Sequence, residues 1–215
     1  SDCRIDDNDC REDLATVREA MALFLNSRMR EAEELCMDGA SARLYKAEGM
    51  ALINSLKSVL TFEPADFETG IMCCQHSMKI AGFLRKKQGT IGKLISGKKG
   101  GFRSMSLVQL HAELVFAESQ LLKSVLGIFY SGDSIGFVKQ ALGLRSAYFH
   151  VRELFKFVEA VDAEAEEAEV SGKRANVVHL DQDFRSGVYL GNALCSLVLS
   201  MLPKNTLKIM EGFGF

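Results

Sequence analysis

Tryptophan is absent from the 215 residues, and proline occurs only twice, at Pro64 and Pro203. An all-β sandwich needs a turn roughly every 8–12 residues, and the long stretches here without turn signals exclude it. Cysteine is sparse as well. Six thiols (Cys3, Cys10, Cys36, Cys73, Cys74 and Cys195) are too few for a disulfide scaffold. Adjacent Cys73 and Cys74 project from different parts of a helix, which suits buried thiols better than a bridge. The opening Ser1-Asp2-Cys3-Arg4-Ile5-Asp6-Asp7 is acidic and holds no secretory apolar segment, so a reducing, cytosolic compartment is expected. Neither charge sign dominates, since the net charge is only −2. What is present, 47% hydrophobic and 25% charged residues, is the balance of a folded chain with a sizeable core.

Apolar periodicity then predicts helices throughout. The first runs from about Asp9 or Arg11 to Asn26 on Leu14, Val17, Met21 and Leu25, followed after Asn26-Ser27 by Met29–Cys36 and a stop at Asp38-Gly39. A third uses Leu44, Met50, Ile53, Leu56 and Leu60, and a fourth, capped by Asp66, carries Phe67, Ile71, Met78 and Phe83 to Arg85-Lys86-Lys87. Glycines and lysines make 89–105 a basic loop. Helix resumes from Ser106 to Tyr130, turns at Ser131-Gly132-Asp133, continues on Ile135 to Val158 and fades into the acidic run from Asp162 to Glu167. After a polar loop at about 170–178, a helix from Phe184 to Leu202 precedes a short one that Asn205 caps through Met210. Between Gly187 and Pro203, 17 residues carry no charge. That is at the lower limit for a membrane span, and the expected placement is an internal helix, apolar almost all round. The fold class is therefore all-α: one domain, 1–215, of about eight helices stacked as hairpins in the manner of a tetratricopeptide-like α-solenoid.

Two sets of residues support repeats. Ala20 is a small residue on one helix, and Met29 precedes the small Ala32 by three, as in a tight tetratricopeptide hairpin. The segments from Phe62 to Ile71, His111 to Ser119, Phe184 to Gly191 and Leu199 to Pro203, in that order, resemble the tetratricopeptide repeat protein 39 family, whose fungal members are called inclusion-body clearance proteins. The resemblance covers nearly the whole chain from about Leu14. It implies an all-helical scaffold without a catalytic centre, associated in fungi with lipid droplets and clearance of inclusions and in animals with lipid homeostasis. It also implies that the chain is the N-terminal half of a longer array.

No catalytic, cofactor or metal site is expected. Gly89-Thr90-Ile91-Gly92-Lys93 lacks the spacing and the Lys-Ser/Thr ending of a phosphate loop. Cys73, Cys74 and His76 lack two further metal ligands, and His111 with Glu113 or Glu118 lacks a nucleophile, so a hydrogen bond between helices is the simpler role for His111. Charge distribution says more. No acid falls between Glu68 and Glu113, whereas Arg85, Lys86, Lys87, Lys93, Lys98, Lys99 and Arg103 do. These seven are the candidate contact for an anionic membrane, a lipid-droplet surface or an acidic partner. Scarce aromatics there place nucleic acid last. The expected function is a non-enzymatic scaffold for protein partners, with self-association through the C-terminal end. The alternative is lipid or sterol handling in a cavity lined by Phe116, Leu121, Leu126, Phe129, Leu194 and Leu197. The expected location is cytoplasmic, peripheral on lipid droplets or the mitochondrial outer membrane, with the nucleus left open.

Overall fold

A computed structural model describes residues 7–85, 101–171 and 178–202, together with 204, 207, 208 and 212. Among these, seven α-helices and one 3-10 turn account for the regular structure, and there is no strand. They are α1 (Asp7–Leu25), α2 (Met29–Met37), α3 (Leu44–Thr61), α4 (Pro64–Arg85), α5 (Leu107–Tyr130), α6 (Ser134–Ser171) and α7 (Gln182–Met201). The eighth expected helix, 205–210, lies mostly outside the described residues, as does most of the 89–105 loop.

Local chemistry explains most boundaries. Ser27 takes a left-handed φ of 64° between α1 and α2, and Gly39 takes φ 89° after α2. A side chain at Gly39 would also meet Arg43 Cδ at 2.9 Å. Ser106 caps α5 with a reciprocal box: its hydroxyl accepts from the Gln109 amide, and its own amide donates to Gln109 Oε1 at 2.8 Å. Asp133 Oδ1 accepts from the Gly136 amide at 2.6 Å, and Asp181 Oδ1 from the Phe184 amide at 2.7 Å.

Three expectations need correction. Helix α4 starts at Pro64, so Asp66 is a first-turn residue rather than the cap; a proline at the first position loses no helical hydrogen bond. Asp66 instead accepts from Thr61 Oγ1 at 2.7 Å. Helix α6 does not fade at Asp162 but runs through the acidic stretch to Ser171. Buried Val161, alanines of high helix propensity and ion pairs from Asp162 to Arg185 and from Glu164 to Arg103 hold it. Helix α7 is not internal. It buries Phe184, Val188, Gly191 and Cys195 and leaves Leu190, Leu194 and Leu197 exposed.

Side-chain pairings fix the order and direction of the helices. The α3–α4 contacts Ser58–Asp66, Ser55–Cys74 and Glu48–Ser77 run antiparallel. So do α4 and α5, from Phe67–Tyr130 to Arg85–Glu113. Helices α3 and α5 instead run the same way, with Tyr45 beside His111 at one end and Phe62 beside Phe129 at the other. Helix α7 joins them in the same sense: Phe184 packs on His111, and a side chain at Gly187 would strike Leu114 at 2.6 Å. Alternate helices are thus parallel neighbours, and α4 and α6 fill the layer behind them. That is the geometry of stacked hairpins. Ala20, Phe24, Ala32, Cys36 and Ile53 form the cluster that joins α1, α2 and α3, which places Ala20 and Ala32 at the crossing the sequence predicts.

Candidate functional site

Buried polar groups tie the parallel helices together. Glu48 of α3 accepts from Ser77 Oγ of α4 at 2.8 Å and from Ser119 Oγ of α5, and the two hydroxyls lie 2.8 Å apart. Burial raises the Glu48 carboxyl above its ordinary range, although the serine hydrogen bonds oppose this. Glu118, one residue before Ser119, is raised well above that range, first by burial and then by the nearby Glu48 charge.

A second chain runs from α3 to the cap of α7. Tyr45 Oη shares a hydrogen bond with His111 Nδ1, and His111 Nε2 lies 3.0 Å from Asp181 Oδ2. Burial raises Asp181, but the hydrogen bonds of His111 and of the Phe184 amide outweigh it and leave the carboxyl below its usual value. An ionised Asp181 accepts from Nε2–H, so in the neutral ring Nδ1 accepts the tyrosine hydroxyl. Burial lifts Tyr45 well above 10 and keeps it a donor. His111 therefore locks neighbouring helices, as expected.

Glu113 belongs to a third group. It meets Arg85 Nε and His150 Nε2, each at 2.8 Å. Burial pushes its carboxyl up, and the hydrogen bonds and charges of His150 and Arg85 bring it below the ordinary value. The Arg85 guanidinium also sits 3.9 Å from the Phe116 ring centroid. His111, Glu113 and Glu118 are therefore distributed over separate contacts and form no acid–base set.

Of the seven basic residues proposed for contact, Lys86, Lys87, Lys93, Lys98 and Lys99 lie outside the described residues. The structure places Arg85 on Glu113 and Phe116, while Arg103 makes a two-pronged pair with Glu164 of α6, one contact at 2.9 Å. Cys74 is buried beside Ser55, with burial pushing its thiol up to about 12. His76 is exposed on the Ala40 carbonyl at 3.0 Å. Among the described residues no group of His, Cys, Asp and Glu could hold a metal, and no helix is long and apolar enough to cross a membrane. The six proposed cavity residues are spread apart: Leu121 and Leu126 are core, Phe116 lies under Arg85, and Phe129, Leu194 and Leu197 are exposed.

Sequence reasoning missed the Glu48–Ser77–Ser119 node. Its signal was a glutamate inside the apolar face of α3, three residues after Tyr45, with serines at mid-helix in α4 and α5. It also missed that α7 is two-faced. Leu190, Leu194, Leu197 and Met201, at 57%, 39%, 55% and 75% exposure, form a row about a third of a turn from the buried one.

The amino-acid sequence matches a known family model, Iml2/Tetratricopeptide repeat protein 39, over residues 18–215. The chain belongs to that family. It is 28% identical over 202 residues to tetratricopeptide repeat protein ttc-39B of Caenorhabditis elegans, covering 94% of this chain and 33% of that protein. An uncharacterized protein of Schizosaccharomyces pombe is 24% identical over 106 residues, or 49% of this chain and 18% of that protein. The chain thus spans about a third of the length of the nematode relative. No solved structure matches it. The Iml2/tetratricopeptide repeat protein 39 family accounts for the helical-repeat architecture.

Proposed function

We propose that this chain works as a non-enzymatic helical-repeat scaffold that holds partner proteins, in a cytoplasmic setting that includes the lipid-droplet surface and the handling of protein inclusions. The observation that carries the reading is the division of labour within the repeat. Of the titratable groups weighed for chemistry in the sequence, His111 and Glu113 are spent on joining helices, while large apolar side chains stand exposed on α7. Apolar surface at this density marks contact with another macromolecule.

Contact with anionic lipid is the finer part of the proposal. It falls to Lys86, Lys87, Lys93, Lys98 and Lys99, because Arg85 and Arg103 already hold carboxylates. Each lysine near an anionic leaflet contributes about 1 kcal/mol. The scaffold reading is tested by affinity capture with the intact protein, followed by mass spectrometry. Reproducible, stoichiometric partners are expected. Capture of none, together with turnover of a small-molecule substrate by the purified chain, contradicts it.

A further inference from the structure

Helix α6, with 38 residues the longest of the described helices, divides its charge along its length. From Leu142 to Val170 a row stepping alternately by three and four residues follows its outer side. The row lies about a quarter turn from Phe155 and Asp162, through which α6 meets Tyr189 and Arg185 of α7. Leu142, Phe149 and Val170 are its large apolar members, and all three are exposed. The cations come first. Arg145 lies over the Phe149 ring at 4.8 Å, Arg152 lies 5.9 Å from the Phe155 centroid, and Lys156 Nζ donates to Glu153 Oε1 at 2.8 Å. The acids follow at Glu159 and Glu166, both exposed. Among the described residues Glu159 and Glu166 make no ion pair, and Arg152 holds no carboxylate.

We propose that this row pairs antiparallel with the same row of a second copy of the chain. Turning the second helix end for end sets each member opposite another member. Arg145 then faces Glu166 and Arg152 faces Glu159, each twice by symmetry, while the Phe149 ring faces the small Ala163 and Leu142 faces Val170. The overlap covers about 42 Å of helix. Lys156 falls at the two-fold axis, where Glu153 of its own helix already holds it. A parallel pair would instead set Arg152 against Arg152 and Glu159 against Glu159. Charge order selects the occupant. A wholly acidic or wholly basic segment satisfies half of the row, whereas a second copy satisfies both halves at once. Residues 203–215 of the chain itself do not fit, since they carry Lys204, Lys208 and Glu211 and reach only about 20 Å as a helix. On the side of α7 next to the row, beyond Tyr189, stand Ala193, Ser196 and Ser200, exposed and small enough for a second molecule to approach. The pairing goes beyond the scaffold reading and does not depend on it.

Sedimentation equilibrium of the full chain tests the pairing, and a dimer should be populated at or below about 100 µM. Arg152→Glu alone and Glu159→Lys alone should each weaken it at least about tenfold, because each change creates two like-charge contacts. Glu159 is exposed, so its exchange should leave the melting temperature where it is. Both changes in one chain should bring the dimer back to within about threefold of native, which a parallel pair would not allow. An equimolar mixture of the two single variants should form a heterodimer of the same strength. A native monomer at about 100 µM, a dimer that neither single variant weakens, or losses that the double variant does not recover would overturn the proposal. So would a dimer that withstands these changes but dissociates on Leu194→Asn with Leu197→Asn, because that places the contact on α7.

Discussion

His111 makes its contribution by satisfying two groups that are otherwise stranded. Replacing it by alanine leaves Tyr45 Oη and Asp181 without their partner across three helices. Such losses cost about 2–4 kcal/mol together, which urea denaturation should register, whereas Tyr45→Phe should cost about 1 kcal/mol. The carboxyls divide by sign. Asp181 and Glu113 are depressed, so their stabilisation is present above about pH 4 and is lost as pH falls through their folded values. Glu48 and Glu118 are raised, so stability declines as pH climbs from about 4.3 toward their folded values, because the ionised forms are disfavoured in the folded state. Each group changes stability by at most about 1.4 kcal/mol per pH unit. Thermal melts should therefore show stability falling as the pH rises above about 4.5, and Glu118→Gln should flatten that decline. An unchanged slope in the variant contradicts the assignment.

Among the elements, α7 shows where sequence pattern reaches its limit. Its charge-free run reads as a helix buried all round, yet Leu197 points to solvent. Hydropathy counts apolar residues without distinguishing a face that meets the core from one that meets a partner. Leu197→Asp should accordingly leave the protein soluble, with a melting temperature within about 2 °C of native. Gly187→Val should be costly instead, since Leu114 occupies the space, with a loss of about 1–3 kcal/mol. The other helices were legible because their cues are local: the Ser27 break, Gly39, Ser106 with Gln109, and Asp133. The continuation of α6 was not, because Arg103 and Arg185 stabilise its acidic turns from distant points in the chain. The polar node was hidden for the same reason, as Glu48, Ser77 and Ser119 are far apart until the hairpins stack.

At the scale of the whole molecule, same-way α3, α5 and α7 create a surface that no single hairpin possesses, backed by α4 and α6. In the sequence, the basic stretch falls between α4 and α5. If its lysines reach anionic lipid, changing Lys93, Lys98 and Lys99 to Glu should abolish flotation with anionic vesicles at low salt. Native flotation should itself fade as ionic strength approaches physiological values, where the Debye length is about 8 Å. Equal flotation of both proteins contradicts this role. The central claim, that the repeat is a scaffold for partner proteins, is tested most directly by a photo-crosslinking residue placed in cells at Leu197, exposed on α7, or, as a control, at Met72, exposed on α4. The account predicts discrete adducts with another protein from position 197 and none of these from position 72. Identical adducts from both positions, no adduct from 197, or adducts only between copies of this chain would contradict it.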